Sequence, residues 1–340
     1  MGSSVQVRLN FRQAVIYLVA SALMFGVGWA SHIMYQRYHG HNYRRVALPG
    51  FHYTNPLLDV ELPEGVDISN EPIPFKHKIE AFVKKQISGK QATEIAVYYR
   101  DLHDGPWFGI NEDIPFNPAS MMKVPVMIAI LKRAERDPYL LSRTLSYDGK
   151  TDMSAMQRIE PQHTITPLRP YSIEELLRYM MSYSDNNATA VLYNELDPRE
   201  LNAVLDGMDI ENRPNDDENS VTVHGYSGFF RILFNASFLN REMSEKALQL
   251  LTMQDFPQGL AAGVPKGIEI AAKYGENVRG MKGEIKQLHE FGIVYHPKHP
   301  YIIGIMTRGN DFDIQTGILS SISRMIYAEV DAVAVKEDRR

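Results

Sequence analysis

The chain has 340 residues, of which 44% are hydrophobic and 23% are charged, as in an ordinary globular protein. Its formal net charge of -5 argues against a nucleic-acid partner, because nucleic-acid-binding surfaces are strongly basic. The absence of cysteine excludes disulfides, a cysteine nucleophile, thiolate metal sites and a lipid-modified N-terminal cysteine. The length accommodates one large domain, or two small ones, with additional segments.

The N-terminal segment is predicted to be a membrane anchor. An uncharged apolar run begins at Ala14 and extends to about Tyr35, which is near the length needed to cross a bilayer. We interpret residues 1–13 as a cytoplasmic segment and residues 14–35 as an uncleaved transmembrane signal anchor. A weak cleavage site, Gly28-Trp29-Ala30, leaves a removed signal peptide as one alternative, and a buried soluble helix is another. Arginines flank both ends of the run and therefore do not determine its orientation.

Five prolines and a lack of periodicity indicate an irregular connector, so we predict a tether over residues 36–74. A globular region over 75–332 follows, and then a short tail over 333–340. The globular region begins with apolar residues at helical spacing from Phe75. Two β-rich runs come next, separated by the turn sequence His103-Asp104-Gly105-Pro106. This pattern predicts a helix followed by a β-hairpin.

The middle of the globular region is predicted to be helical. Ser172-Ile173-Glu174-Glu175 is a capping box that opens one helix, and Asp197 followed by Pro198 opens another. Apolar residues recur at helical spacing in three further stretches: 119–136, 223–238 and 242–253. The first of these stretches is apolar on nearly all sides, so we expect it to be buried.

Strand patterns return in the C-terminal part, over 268–274, 287–295 and 301–307, before a final helix over about 314–329. Because strands at both ends of the region flank the helices, we predict an α+β fold. One antiparallel sheet would be flanked by the terminal helices, and an all-helical lobe would be inserted between its two halves. The cleft between the lobe and the sheet is then the expected place for a site.

Ser120 and Lys123 are the first of three groups of candidate catalytic residues. A serine hydroxyl is a weak nucleophile unless a base lies within hydrogen-bond distance, and residues three apart share one face of a helix. Lys123 lies in an apolar run, where desolvation favours the neutral amine that could accept the Ser120 proton. Taken alone, the two residues are more commonly a helix cap and a solvated lysine.

Two polar clusters follow at later points in the chain. Ser184-Asp185-Asn186 lies in a break between predicted helices, where the serine could relay a proton and the asparagine could hold a substrate amide. Lys273-Tyr274-Gly275 ends a β-rich run, where the lysine could hold an anionic group and the glycine allows close approach of a substrate backbone. A polar turn and an edge-strand lysine are the simpler explanations of each cluster by itself, so the order of the three groups carries the signal.

In this order the three groups resemble the S-x-x-K, S-D-N and K-T-G signature of class A β-lactamases and penicillin-binding proteins. Three local matches strengthen the resemblance: Ser120–Val126, Asn215–Glu218 and Gly263–Gly267. Over about residues 76–330 the chain looks like a class A β-lactamase-related serine hydrolase. The resemblance implies the β-lactamase/transpeptidase-like fold for this part of the chain.

The resemblance also implies a role for each motif residue. Ser120 would be the acylated nucleophile, Lys123 its base or a proton relay, and Ser184 the group that passes the proton to a leaving nitrogen. The backbone N–H groups of Ser120 and Glu276 would form the oxyanion hole. The substrate-binding residues would be Asn186, Lys273, Tyr274, Gly275 and Glu276.

The chain departs from the family pattern in two places. Tyr274 stands where the family usually has Thr or Ser, whose small hydroxyl contacts the substrate carboxylate, and Glu276 adds a negative charge nearby. Class A enzymes also carry a glutamate, in an E-x-x-L-N pattern on a loop, that activates the water for deacylation. Residues 207–215 are too short for that loop and lack the pattern, and Glu211 is the nearest candidate. We therefore expect slow deacylation.

The expected function is serine acyl-enzyme chemistry on an amide, either β-lactam hydrolysis or cleavage of a D-alanyl cell-wall peptide. The expected setting is a single-pass protein of the bacterial cell membrane with its catalytic domain outside the cytoplasm. Its partners would be a β-lactam or a peptidoglycan peptide and, through the N-terminal helix, the membrane. We predict no cofactor and no metal, because the close histidine pairs have no accompanying metal-binding pattern. A membrane-anchored sensor of penicillin or muropeptide and a non-catalytic scaffold are the alternatives.

Overall fold

The computed structural model describes residues 52–55, 73–102, 105–207, 220–279 and 285–338, and four positions near the N-terminus. The predicted cytoplasmic segment and nearly all of the predicted anchor and tether lie outside the described residues, so they stay predictions. Contacts divide the chain into two compact units, Met1–Gly50 and Phe51–Arg340, and the sheet and its helices lie in the second. Within the part that the structure describes, no helix combines the length and apolar character that a membrane span requires.

The second unit begins its regular structure with helix α1 (Lys76–Ser88) and the hairpin of β1 (Glu94–Asp101) and β2 (Trp107–Ile110). A single 3₁₀ turn over Ala119–Met122, called the Ser120 turn below, leads directly into helix α2 (Lys123–Ala134). A small second sheet consists of β3 (Thr144–Ser146) and β4 (Pro170–Ser172). The helices of the middle region are α3 (Ile173–Ser182), α4 (Asn186–Asn194), α5 (Pro198–Asp206), α6 (Val223–Phe234) and α7 (Arg241–Thr252). The C-terminal elements are β5 (Ile270–Arg279), β6 (Ile285–Val294), β7 (Tyr301–Gly309) and helix α8 (Phe312–Asp338).

The five long strands form one sheet in the order β2-β1-β7-β6-β5, and every neighbouring pair is antiparallel. Its two halves meet where β1 pairs with β7, for example at Tyr98 opposite Gly304. The helical middle is therefore an insertion between two halves of one sheet, and the predicted fold is confirmed. Strand β5 lies at an edge, so one side of its backbone pairs with no other strand of the described residues.

The two faces of the sheet belong to separate hydrophobic cores, because side chains alternate between the faces along each strand. Phe291 of β6 faces the helical lobe, where its ring lies 5.4 Å from that of Phe230 and 5.2 Å from that of Tyr226. The opposite core includes Ile79 of α1 and Ile322 of α8. The lobe and the terminal helices thus cover opposite faces of the sheet.

Helix α2 is buried around its circumference over residues 123–131, as its apolar sequence predicts. Its start differs from the prediction, because the Ser120 turn is 3₁₀ and α-helical geometry begins only at Lys123. Pro125 has no N–H group, so the carbonyl of Met121 loses its usual helical partner. The buried hydroxyl of Tyr226 replaces that partner by donating a hydrogen bond of 2.7 Å to the carbonyl.

Both helix starts predicted from capping sequences are confirmed. The hydroxyl of Ser172 accepts from the N–H of Glu175, whose carboxylate accepts in return from the Ser172 N–H. Asp197 and Glu200 form the same reciprocal pair at α5, with Pro198 in the first turn. Each pair satisfies backbone donors that a helix start would otherwise leave free.

Helix α8 runs to Asp338, so residues 333–338 are helical and the tail predicted there is wrong. Lys298 forms an ion pair with Asp338, and Nε2 of His299 lies 2.8 Å from a carboxylate oxygen of Glu337. Lys298 and His299 lie on the turn between β6 and β7. These contacts hold the end of the helix against the sheet, which the local sequence of the helix does not reveal.

Residues 52–55 lie on the folded domain, although we predicted them as part of the tether. Three consecutive backbone N–H groups of this segment donate to the carboxylate of Glu245 in α7. The N–H of Asn55 donates to the carbonyl of Phe234 at 2.7 Å. Contacts between backbone groups and a distant carboxylate leave no periodic pattern, so the sequence gives no sign of them.

We expect Tyr226→Phe to lower the free energy of unfolding by about 1–3 kcal/mol, because it leaves the buried Met121 carbonyl without a donor. Urea unfolding of the full chain measures this loss. In a Pro125→Ala background the new backbone N–H can supply the missing donor, so the same substitution should cost clearly less. Equal losses in both backgrounds would show that the hydroxyl does not replace the helical partner.

Candidate active site

The structure brings the first two predicted motifs together around the buried amine of Lys123, which is 4% exposed. Its Nζ donates to the carbonyl of Ser184 at 2.6 Å, to the Ser184 hydroxyl at 3.0 Å and to Oδ1 of Asn186 at 2.7 Å. An ammonium group has three protons, so these three acceptors satisfy it completely. The polar turn before α4 is therefore fixed against the start of α2.

Burial lowers the pKa of Lys123 to about 7, against the attraction of the nearby negative charges of Asp185 and Glu276. At neutral pH a large fraction of this side chain is therefore a neutral amine. Ser120 is half-buried one turn before it. Among the described residues no hydrogen bond joins the Ser120 hydroxyl to Lys123, whose Nζ is occupied by Ser184 and Asn186. Catalytic hydrogen bonds are often long before a substrate binds.

Two residues of the site have strained backbone conformations. Ala119, immediately before Ser120, has φ 49°, and Ser184 has φ 56°. A non-glycine residue in this left-handed region costs on the order of 1–3 kcal/mol and persists only where the surrounding structure imposes it. Strain at both motifs indicates that the positions of Ser120 and Ser184 are set by contacts from outside their own segments.

Ala119 is held by Asn117, and Asn117 is held in turn by strand β6. The N–H of Ala119 donates to Oδ1 of Asn117 at 2.9 Å. Asn117 is held in turn through its backbone, whose N–H donates to Gln287 at 3.3 Å and whose carbonyl lies 3.0 Å from Nε2 of His289. The sequence analysis missed both β6 residues, because nothing local connects them to a segment 170 residues earlier.

His289 acts here as a neutral, fixed donor. It is fully buried, and this burial lowers its pKa to about 3. Its Nδ1 accepts a hydrogen bond of 3.2 Å from the N–H of Thr307, so the ring proton resides on Nε2. That proton is donated to Asn117, which ties the segment before Ser120 to the middle of the sheet.

Asp185, the middle residue of the second motif, caps helix α4. Its Oδ1 accepts from the N–H groups of Asn187 and Ala188, and its Oδ2 accepts from that of Ile165 at 2.8 Å. Burial raises the pKa of Asp185, and these backbone hydrogen bonds oppose the rise. The carboxylate therefore shapes the turn that presents Ser184.

Lys273 of β5 is fully buried, and its Nζ has no hydrogen-bond partner among the described residues. It lies 4.2 Å from the centre of the Tyr274 ring. Burial lowers the pKa of Lys273 well below its ordinary value, and the positive charge of Lys123 lowers it further. The third motif therefore supplies a buried amine that has no acceptor within the described part of the chain.

Gly275 allows β5 to pack directly against the Ser120 turn. A Cβ atom at this position would lie 2.5 Å from the carbonyl oxygen of Pro118 and 3.0 Å from the backbone nitrogen of Met121. The space that we assigned to a substrate backbone is thus occupied by the backbone of the chain itself. The glycine is needed to place Ser120 beside the third motif.

Tyr274, which stands where the family usually has Thr or Ser, packs its ring into the protein. Its ring stacks on Phe256 with centroids 4.5 Å apart, and its backbone N–H donates to Gln254 at 2.5 Å. Burial raises the pKa of the phenol, and an interaction with Ser184 opposes this rise. A large, nearly buried ring therefore replaces the small hydroxyl that the resemblance led us to expect.

Glu290 lies behind the third motif and was not a predicted site residue. Its carboxylate accepts from Gln254 and from the N–H of Leu260, both at 2.7 Å. Burial raises its pKa to about 7, and these two hydrogen bonds, together with the attraction of Lys273, limit the rise. The only sequence signal is a glutamate inside the apolar strand Leu288–Val294.

Glu276 accepts two hydrogen bonds through Oε1, from the N–H of Arg158 at 2.8 Å and from that of Ile159 at 2.6 Å. Its side chain is therefore directed at a loop and not at either lysine. The second departure from the family pattern is the missing loop glutamate. Its nearest candidate, Glu211, and the Asn215–Glu218 match lie outside the described residues. Among the described residues, no cluster of three histidine or acidic side chains could hold a metal ion.

The model of the beta-lactamase enzyme family matches residues 74–330 of the chain. The chain belongs to the beta-lactamase enzyme family. A β-lactamase from Bacteroides uniformis is 24% identical over 280 residues, which covers 74% of this chain and 90% of that protein. The expected relation to class A β-lactamases and penicillin-binding proteins is confirmed at the level of family and fold.

Solved structures of family members show the same fold. A class A β-lactamase from Mycobacterium abscessus has a TM-score of 0.63 at 21% identity, with 74% of this chain and 99% of that chain covered. A mutant of PBP-A in an acyl-enzyme complex with penicillin G also has a TM-score of 0.63 at 21% identity, with 76% and 97% covered. The protein thus has the fold of the β-lactamase-like serine hydrolases.

We expect Gly275→Ala to destabilise the protein by about 1–3 kcal/mol, because the added methyl group collides with the backbone of the Ser120 turn. Urea unfolding measures the loss. Gly317→Ala is the matched control, since its Cβ would meet no atom within 4 Å. If both variants were equally stable, β5 would not pack against the turn as described.

Proposed function

We infer that the protein is a serine hydrolase in which the Ser120 hydroxyl attacks the carbonyl carbon of an amide and forms an ester. The amide is that of a β-lactam ring or of a D-alanyl cell-wall peptide. The observation that carries this proposal is the buried contact of Lys123 with Ser184 and Asn186, next to the Ser120 turn. Membership of the beta-lactamase family supports the same chemistry.

In the proposed mechanism Lys123 is the base. With a pKa of about 7, it provides the neutral amine that removes the proton from Ser120 as the C–O bond forms. The Ser184 hydroxyl lies 3.0 Å from Nζ and passes a proton to the amide nitrogen as the C–N bond breaks. Each group returns to its starting state once water has hydrolysed the ester.

The developing oxyanion is proposed to bind between two backbone N–H groups. Ser120 is the second residue of the 3₁₀ turn over Ala119–Met122, whose first N–H groups have no acceptor within the turn. Along a strand, alternate residues direct their N–H groups to the same side. Because the Tyr274 N–H points away from β6 to Gln254, the N–H of Glu276 also points away from β6.

Lys273 is proposed to hold an anionic group of the substrate. Its amine is buried and has no acceptor among the described residues, which is costly unless a ligand supplies one. An anion bound there would favour the charged form and reverse the effect of burial on its pKa. The charge of Lys273 would then also stabilise the oxyanion nearby.

A long-lived ester is the expected outcome with a β-lactam. Residues 207–215 lack the E-x-x-L-N pattern that supplies the deacylating glutamate in the class A enzymes. The same feature supports the second candidate function, a sensor that captures a β-lactam or muropeptide and retains it. The lifetime of the ester separates the two candidates, because a hydrolase must release its product.

We expect a fluorescent penicillin to label the full chain covalently and Ser120→Ala to abolish the label. Gel fluorescence and intact mass detect the adduct, and Ser320→Ala serves as a control for removal of a remote serine hydroxyl. Fast release of the label indicates a β-lactamase, whereas a stable label indicates a peptidase or a sensor. A wild-type protein that stays unlabelled by both penicillin and a D-alanyl peptide would contradict the proposed chemistry.

We expect the second-order rate of acylation to rise with pH up to about 7 and to be flat above it. Below that pH the protonated fraction of Lys123 grows. Each further unit of pH below 7 should therefore lower the acylation rate by about tenfold. Stopped-flow fluorescence from pH 5 to 9, within the range in which the fold is intact, measures the profile. A rate independent of pH across this range would remove Lys123 from the role of base.

A further inference from the structure

A loop of residues 152–165, called the crossing loop, is bound to the polar turn before α4. The N–H of Met153 donates to Oδ1 of Asn187 at 2.8 Å, and the carbonyl of Met153 accepts from Nδ2 of Asn186 at 3.2 Å. At its far end the N–H of Ile165 donates to Asp185. Both ends of the loop are therefore fixed on the lobe side of the site.

The middle of the crossing loop extends to the opposite wall. The side-chain amide of Gln157 donates to the carbonyl of Ser184 at 2.9 Å. The next two residues, Arg158 and Ile159, donate their backbone N–H groups to the carboxylate of Glu276 on β5. Adjacent Cα atoms are about 3.8 Å apart, so three consecutive residues span the gap between the second motif and the edge strand.

The Glu276 side chain makes no other hydrogen bond with the residues that the structure describes. Its second oxygen, Oε2, is buried and has no partner among the described residues. Its contacts with Lys123 and Lys273 are long-range attractions and not ion pairs. The carboxylate is therefore held by the crossing loop and holds the loop in return, through two charge-assisted hydrogen bonds.

The bridge restricts what can reach Ser120. Gln157, Arg158 and Ile159 connect Ser184 with the Glu276 side chain. The backbone N–H of Glu276 faces outward from the strand. A slender acyl donor would need little room beside Glu276 and would leave these hydrogen bonds intact. A donor with a bulky substituent next to its reacting carbonyl must first break the two hydrogen bonds to Glu276.

We propose that the Glu276 side chain is a specificity-determining residue, which holds the crossing loop over the site and selects slender acyl donors over bulky ones. The proposal rests on the acyl-enzyme function proposed above. It names the substrate class of the same site, an acyl donor with little bulk beside the carbonyl. This role would account for the negatively charged side chain at position 276, which departs from the family pattern.

The test compares Glu276→Ala, which removes the acceptor, with Glu276→Gln, which retains an amide oxygen at the same place. Glu160→Ala is the matched control, because it removes an exposed carboxylate from the crossing loop itself. Acylation of the full chain is measured with two donors that share the β-lactam ring. One is 6-aminopenicillanic acid, which has no acyl side chain, and the other is a fluorescent penicillin with a bulky one.

We expect Glu276→Ala to raise the ratio of bulky to slender acylation rates by about tenfold, and Glu276→Gln to raise it less. Hydrogen exchange provides a readout independent of activity. The amides of Arg158 and Ile159 should lose protection in Glu276→Ala, while those of β6 and β7 keep it, which also verifies that the variant is folded. Glu160→Ala should match the wild type in both measurements.

The experiment distinguishes failure of the proposed acyl-enzyme function from failure of the specificity role of Glu276. If neither donor forms an ester with the wild-type protein, the proposed function fails and this inference fails with it. If esters form but the ratio changes by less than about twofold in Glu276→Ala, the specificity role alone is overturned. Unchanged protection of Arg158 and Ile159 in that variant would equally overturn it, because the loop would not depend on the carboxylate.

Discussion

The burial of one amine, that of Lys123, determines how the candidate site is assembled. A cation inside an apolar helix is tolerated only if it is fully hydrogen-bonded, and its acceptors all come from Ser184 and Asn186. The turn before α4 must therefore lie against α2 for the lobe to be stable. The contact that places the chemical groups is thus also a contact that packs the lobe, so site and fold are not separable here.

Around this amine the site balances charges without pairing them directly. Lys123 and Lys273 repel each other, and burial disfavours the charged form of both. Asp185, Glu276 and Glu290 attract the lysines, but each carboxylate hydrogen-bonds to backbone or amide donors instead. Such an arrangement leaves the amines free to change protonation state. Direct ion pairs would have fixed them in the charged form.

Local features of the fold were predictable because their causes are local. The capping boxes at Ser172 and Asp197 need only a four-residue pattern, and the loss of a helical partner for Met121 follows from Pro125 alone. The order of the three motifs was likewise legible in the sequence. It led us to expect Ser184 as a proton relay for Lys123, and the two side chains lie within hydrogen-bond distance. The contact of Asn186 with Lys123 was not predicted, because we assigned Asn186 to a substrate amide.

What the sequence did not reveal depends on strand pairing and on distant contacts. His289 and Gln287 support the segment before Ser120 only because β6 lies beside β5 in one register, and no short pattern encodes that register. The ring of Tyr274 fits because Phe256 offers a stacking surface. The helical end of α8 depends on His299, which is far away in sequence. Each of these residues looks ordinary in its local context.

The docking of residues 52–55 on α7 sets a limit on the reach of the domain. If residues 14–35 are the predicted anchor, the connector between anchor and domain consists of residues 36 to 51. It does not extend to residue 74, as the sequence predicted. Sixteen extended residues reach about 50–60 Å, less than half of what the whole predicted tether would allow. The hydrogen bonds to Glu245 therefore shorten the connector that the sequence predicts, because they fix residues 52–54 on the domain.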